Sequence, residues 1–352
     1  MSCAVGVSPH TAERVLLIRL SALGDVVNTL AVLPLVRRRW PRAHLAFLTA
    51  PPWAELLAGD PLVDEVLVHR RAPLRLGLPA AMARMRGGRF DVVVDLQSSR
   101  YSRWLAWATA APVRVGGRRG PWYTHVVEQD SRGHRALAHF LGLLRPLGVE
   151  GVPAPRVPDP ARARREAEPL LAAHGLEESV YAVLNPGHSP AWGTKRWPVR
   201  HWAALAGRLA RAGLRPVLTG AGADRPLARE IASASDAAVT DLTGRTGLHA
   251  LYGVMAGAAV VVSTDSGPMH VATMSGTPVV ALFGPTDPIP SGPWGEGHVI
   301  LTHPVPCAPC FRKRCPYDHA CLDRVAPDEV ARAALAAAGR AAATPSAGRR
   351  GS

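Results

Sequence analysis

Four short segments carry residues that could do chemistry, and each falls where an apolar run gives way to a loop or a helix start. Ser21-Ala22-Leu23-Gly24-Asp25 is the first. Gly24 can take a positive φ and let the backbone approach a ligand. Asp25 stands at or near a helix N-terminus. It reads either as an N-cap, whose carboxylate accepts a backbone N–H, or as a general base, and the segment leaves both open. Asp95 closes a second apolar run and is followed by Gln97-Ser98-Ser99, a polar loop on the same sheet edge, with structural and functional roles equally open. In the second half, Asn185-Pro186-Gly187-His188-Ser189 is followed closely by Lys195-Arg196-Trp197-Pro198. Pro198 suits a first helical turn. A small-residue loop, a lysine and a helix start together can hold a diphosphate, with Lys195 neutralising its charge.

The most distinctive segment is Ser263-Thr264-Asp265-Ser266-Gly267-Pro268-Met269-His270. Ser266 and Gly267 would offer backbone N–H groups where the helix dipole favours an anion. Asp265 could accept hydrogen bonds from sugar hydroxyls, and His270 joins the same candidate set. Leu282-Phe283-Gly284-Pro285-Thr286-Asp287-Pro288 reads mainly as a rigid turn, with Thr286 and Asp287 its polar exceptions. Cys307, Cys310, Cys315 and Cys321 follow a C-x2-C-x4-C-x5-C spacing. They could hold a structural zinc tetrahedrally, stay reduced as free thiols, or adopt a redox or disulfide state.

The elements that must position these residues are legible as alternation. Apolar runs at Arg14–Leu20, Ala43–Thr49, Asp64–Arg70 and Phe90–Gln97 read as strands buried on both faces, separated by helical stretches. Val26–Trp40 reads as one helix. The second half repeats the rhythm, with strand candidates VYAVLN, RPVLTG, AAVVVS and TPVVALFG, and a last helix from Pro327 to about Arg340. Strands alternating with helices imply a mostly parallel sheet. Proline and glycine cluster near residues 150–160, which places a linker there. The expected organisation is a disordered lead (1–13), a Rossmann-like domain (14–155), a linker with a second Rossmann-like domain (156–340), and a disordered tail (341–352). The two α/β domains are expected to face each other across a cleft, with ligands beyond the strands' carboxyl ends.

The 352 residues carry 41 Lys+Arg against 27 Asp+Glu, a formal charge of +14. Such an excess attracts phosphates and anionic lipid surfaces, although an arginine- and alanine-rich composition explains it equally well. No helix-turn-helix, zinc-finger or RNA-binding signature points to nucleic acid. No apolar run reaches the roughly 18–20 residues a membrane span needs. The N-terminus lacks signal-peptide organisation, so a cytoplasmic chain is expected.

Taken together, RLSALGDVVNTLAVLP, NPGHSPAWGTKRWP, STDSGPMHVA and LFGPTDP…GPWG resemble glycosyltransferase family 9, the ADP-heptose:lipopolysaccharide heptosyltransferases, over roughly residues 14–335. The resemblance implies a GT-B fold, an N-terminal acceptor domain and a C-terminal nucleotide-sugar domain. Asp25 matches the family's proposed catalytic base, with Ser21, Gly24 and Asp95 on the acceptor side. Lys195 matches the diphosphate contact, Asp265 the donor-sugar contact, and Ser266 and Gly267 the phosphate-binding helix start. Ser189 lies near the family's hydroxyl contact to phosphate, and Asp224 near its ribose-binding acid. The implied reaction transfers heptose from ADP-heptose to a lipid A-linked core oligosaccharide, with inversion and no required cofactor. It would take place in the cytoplasm, with peripheral contact at the inner membrane. The alternatives are another GT-B transferase or epimerase using a UDP- or GDP-sugar, or a non-catalytic nucleotide-sugar-binding protein of envelope assembly.

Overall fold

The computed structural model describes residues 11–70, 74–128 and 135–343. Most of the expected lead (1–10) and of the expected tail (344–352) lies outside them. The last three lead residues are ordered: Ala12 is buried, and Asp91 accepts the Glu13 and Arg14 backbone N–H groups at 2.8 and 2.9 Å. The final helix runs Pro327–Ala343, three residues into the expected tail.

The chain divides into two compact units, Met1–Ala154 and Pro155–Ser352. The first holds β1 (Arg14–Ile18), β2 (His44–Thr49), β3 (Glu65–Val68), β4 (Val92–Asp95), β5 (Val113–Gly116) and β6 (His125–Val126), paired in the order β3-β2-β1-β4-β5-β6. The second holds β7 (Tyr181–Asn185), β8 (Arg215–Leu218), β9 (Thr240–Asp241), β10 (Val260–Thr264), β11 (Val279–Phe283) and β12 (Val299–Thr302), in the order β12-β11-β10-β7-β8-β9. All pairings are parallel. Counted within its own unit, each sheet has the strand order 3-2-1-4-5-6 of dinucleotide-binding folds.

Burial explains why the central strands read as unbroken apolar runs. Val15, Leu16, Leu17 and Ile18 of β1 and Val260, Val261 and Val262 of β10 are all fully buried, because crossover helices cover both faces of a parallel sheet. In the second unit, Trp197 and Trp202 pack edge to face at 5.0 Å and are fully buried. The Trp197 indole N–H donates to the Val325 carbonyl at 3.0 Å, which satisfies the polar end of an otherwise apolar side chain. Such an aromatic pair adds about 0.5–1.5 kcal/mol beyond its area burial.

One helix expectation needs correction. Val26–Trp40 is two helices, Leu23–Leu30 and Leu33–Arg39. Pro34 sits in the first turn of the second, where its missing N–H costs nothing, whereas a continuous helix would lose a hydrogen bond there.

Candidate functional site

In each unit the strand order reverses between its first and fourth strands, the place where folds of this kind bind ligands. There the loops after the two central strands turn to opposite sides of the sheet, which leaves room for a ligand. In the first unit the loops follow β1 and β4. In the second they follow β7 and β10. The segments singled out by residue type occupy these four loops.

In the first unit, Ser21 is exposed and Asp25 half-buried in the third position of the helix Leu23–Leu30. Gly24 is buried in the helix's first turn and takes helical backbone, so its expected left-handed conformation is not used. Asp25 is not the N-cap, a position held by Ala22. Its carboxylate reaches back to accept the Ala22 N–H at 3.3 Å and forms a close ion pair with Arg19. Arg19 is itself held in place. It is 8% exposed, donates to the Leu96 carbonyl at 2.8 Å, and lies over the Phe140 ring at 5.4 Å. His139 completes the neighbourhood. Burial, and then the positive charge of Arg19, lower its pKa to about 4, so its imidazole is neutral near pH 7.

For Asp95, whose role the sequence left open, the geometry favours the structural alternative. The residue is 0% exposed. Its carboxylate accepts the Tyr123 hydroxyl at 2.6 Å and the Ser98 and Gln97 backbone N–H groups at 2.9 and 3.1 Å. Burial pushes its pKa up in spite of these donors. Asp95 therefore shapes the loop instead of presenting a carboxylate to an acceptor. The loop it fixes carries Gln97, whose side-chain oxygen accepts the Leu20 N–H at 2.7 Å. A buried carboxylate thus sets the backbone that leads into Ser21–Asp25.

In the second unit, Ser263 of β10 lies in register with Asn185 of β7, and the Thr264 hydroxyl donates to the Gly187 carbonyl at 3.4 Å. The two loops are therefore neighbours. Lys195 ends a short 3-10 turn, Gly193–Lys195. Its ammonium donates to Asp265 Oδ2 at 2.6 Å and stands 4.9 Å from the Trp192 ring centre. The same Asp265 oxygen accepts the Thr286 hydroxyl at 2.6 Å. The Lys195 and Asp265 side chains are only 16% and 9% exposed, which makes this a largely desolvated pair. Ser266 caps the helix Gly267–Met274 without a side-chain hydrogen bond to it. Pro268 contributes no donor, so anion binding at this helix start rests on Ser266 and Gly267. His270 is 8% exposed in the same helix and has little surface to offer a ligand.

Asp224 lies over the adjacent loop ends. It accepts the Ala221 N–H at 2.8 Å, and a Cβ on Gly187 would come within 2.7 Å of its carboxylate. Only glycine at position 187 leaves room for that approach. Ser189 is exposed, and its carbonyl accepts the Trp192 N–H at 2.8 Å, closing the turn that leads to Lys195.

Reading by residue type missed Arg19, Tyr123 and His139 in the first unit and Trp192 in the second, and it noted Gln97 only as part of a polar loop. Arg19 did leave a signal, being a charge at the end of an otherwise apolar run. Thr286 stood out only as a polar residue in a turn.

The sequence model of glycosyltransferase family 9 (heptosyltransferase) matches residues 80–321. Lipopolysaccharide heptosyltransferase 1 of Pseudomonas aeruginosa is 28% identical over 330 residues, 88% of this chain and 90% of that protein. Among solved structures, the glycosyl transferase family 9 protein from Veillonella parvula aligns with a TM-score of 0.80 at 23% identity, covering 93% of this chain and 97% of that one. E. coli ADP-heptose lipopolysaccharide heptosyltransferase II aligns with a TM-score of 0.76 at 23% identity, covering 93% and 99%.

Proposed function

The chain belongs to glycosyltransferase family 9 and has the GT-B fold, and from that premise we propose that it transfers heptose from ADP-heptose to a lipopolysaccharide inner-core acceptor. The observation that carries this reading is the buried Lys195–Asp265–Thr286 cluster beside the helix start at Ser266–Gly267, where the strand order of the second sheet reverses. It joins a cation and backbone donors suited to a diphosphate with a carboxylate suited to sugar hydroxyls. The names of the relatives supply the donor and acceptor.

In the proposed reaction Asp25 takes the proton from the acceptor hydroxyl as that oxygen attacks the anomeric carbon, and the configuration inverts. Arg19 holds the Asp25 carboxylate in place, and Asp95 holds the loop through Gln97. As the bond to ADP breaks, charge grows on the diphosphate. Lys195 and the Ser266–Gly267 helix start stabilise it, so the transfer itself requires no metal or other cofactor. Asp224 is proposed to bind the ribose and Ser189 a phosphate oxygen, with Ser21 on the acceptor side. His270 is proposed to support the donor helix from within.

Among the described residues no helix is long and apolar enough to cross a membrane. The proposed place of action is the cytoplasmic face of the inner membrane, where the +14 charge would favour an anionic, phosphorylated acceptor.

The test pairs turnover with calorimetry. Asp25→Asn should lower turnover by about 10²–10⁴-fold, the usual contribution of a general base, while ADP binding is unchanged and exceeds UDP and GDP binding. Full turnover in Asp25→Asn would sink the catalytic assignment. A preference for UDP or GDP would replace the donor.

A further inference from the structure

The four clustered cysteines take no part in the proposed transfer, yet their placement is informative. Residues 303–319 contain no helix or strand, and most are exposed. Phe311 and His319 stand in the left-handed region, with φ of 52° and 58°. Non-glycine residues there cost free energy and persist only where their surroundings hold them. Two hydrogen bonds tie the segment down, from the Thr194 hydroxyl to the Arg312 carbonyl at 2.6 Å and from the Phe311 N–H to the Pro285 carbonyl at 2.8 Å. A segment without a core of its own ordinarily needs a further staple, covalent or metallic.

All four thiols line one cavity of about 790 Å³, which Arg312, His319 and Arg324 also border. Cys321 starts from the short helix Ala320–Asp323 and presses against the end of β11, where a Cβ on Gly284 would stand 2.9 Å from its sulfur. The Cys315 sulfur accepts the Tyr317 backbone N–H at 3.4 Å. Such outer-shell donors orient and support ligating groups. Arg312, Lys313 and Arg314 stand between the second and third cysteines, where they can offset the charge of four thiolates.

We infer that Cys307, Cys310, Cys315 and Cys321 form a tetrathiolate site for one thiophilic first-row cation, zinc(II) or iron(II). Four sulfurs in tetrahedral array select these ions over harder ones. Among the described residues, no three such side chains already stand as a ready metal-binding group. Binding therefore draws the sulfurs inward across the cavity, and the four thiol protons pass to solvent. The site fastens residues 303–321 to the loops carrying Thr194 and Pro285. These are the sequence neighbours of Lys195 and Thr286, so the cation steadies the donor cluster without touching substrate.

The test measures metal, so its failure is distinct from failure of the sugar-transfer reading, which ADP binding reports. The full chain, purified under reducing conditions, is analysed by elemental mass spectrometry. One equivalent of zinc or iron per chain is expected, lost in Cys307→Ser/Cys310→Ser and retained in Cys307→His, which restores a ligand. Chelator-stripped wild-type chain is then titrated with zinc(II) against a chromophoric competitor, which keeps the inference testable if the serine variant fails to fold. One-to-one binding is expected. Less than a tenth of an equivalent in the purified chain together with no zinc uptake after stripping would overturn the inference, as would a disulfide between any two of these cysteines that persists through the reducing purification.

Discussion

Lys195→Met is the most informative single perturbation, because it separates what the Lys195–Asp265 pair contributes to stability from what it contributes to binding. Methionine keeps most of the unbranched stem and removes the charge. Asp265 would then stand with a side chain 9% exposed and the Thr286 hydroxyl as its remaining donor at Oδ2. Removing one partner of a buried pair costs about 3–5 kcal/mol, mostly as the uncompensated charge left behind. Lys195 retains 16% exposure, so the low end, about 3 kcal/mol, is expected. For a unit of this size each kcal/mol lowers Tm by about 2–4 °C, giving a fall of about 6–12 °C. Urea unfolding followed by tryptophan fluorescence reads both units, the second through the buried Trp197 and Trp202 and the first through tryptophans such as Trp40. The double variant Lys195→Met/Asp265→Asn removes both charges and should recover most of the loss, with a coupling of about 2–3 kcal/mol. Saturating ADP is expected to stabilise the wild type by about 2.7 kcal/mol at a hundredfold excess over Kd, and both variants less. A cost below about 1 kcal/mol, the range of exposed pairs, or strict additivity in the cycle, would refute the picture of a desolvated cluster.

Two further outcomes follow from the first unit. His139 has a folded pKa of about 4 against an ordinary 6.5, so its neutral form contributes stability that is present above about pH 6.5 and lost as pH falls toward 4. At about 1.4 kcal/mol per pH unit, discounted for screening at a half-buried ring, that loss is about 2 kcal/mol. Unfolding measured from pH 7 to 4.5 should show it in the wild type and not in His139→Gln, and parallel profiles would argue against a buried neutral imidazole. Tyr123→Phe removes the 2.6 Å donor to buried Asp95 and should cost about 1–3 kcal/mol. Asp95 has a raised pKa, so its ionised form is the costly one, and the deficit should grow as pH rises from 4 to 7; a deficit independent of pH would mean the hydroxyl does not serve the carboxylate.

Much of the architecture was legible because it is local. A strand buried on both faces must be apolar throughout, and β1, β2, β4, β7, β8, β10 and β11 announce themselves in that way, while the edge strand β3 was read from its short apolar run. The edge strands of the second sheet leave less to read. β9 is two residues long, and in β12 two of the four residues are exposed, so neither leaves a period to read. The break at Pro34 was not legible, since proline in the first turn of a second helix and proline inside one long helix look alike until the backbone is placed.

The sequence by itself determined which loops carry the candidate chemistry, because loops that end central parallel strands are where such folds leave backbone groups and side chains for ligands. What each carboxylate does was decided by tertiary structure. Asp25 and Asp95 both follow apolar runs, but Asp95 meets a hydroxyl from 28 residues further on and is sealed, while Asp25 keeps 40% of its side chain exposed beside Arg19. Lys195 and Asp265 are 70 residues apart in the chain and 2.6 Å apart in space. A side chain's type fixes what it can bond, but its burial and partners come from segments distant in sequence, and those select among the roles its type allows.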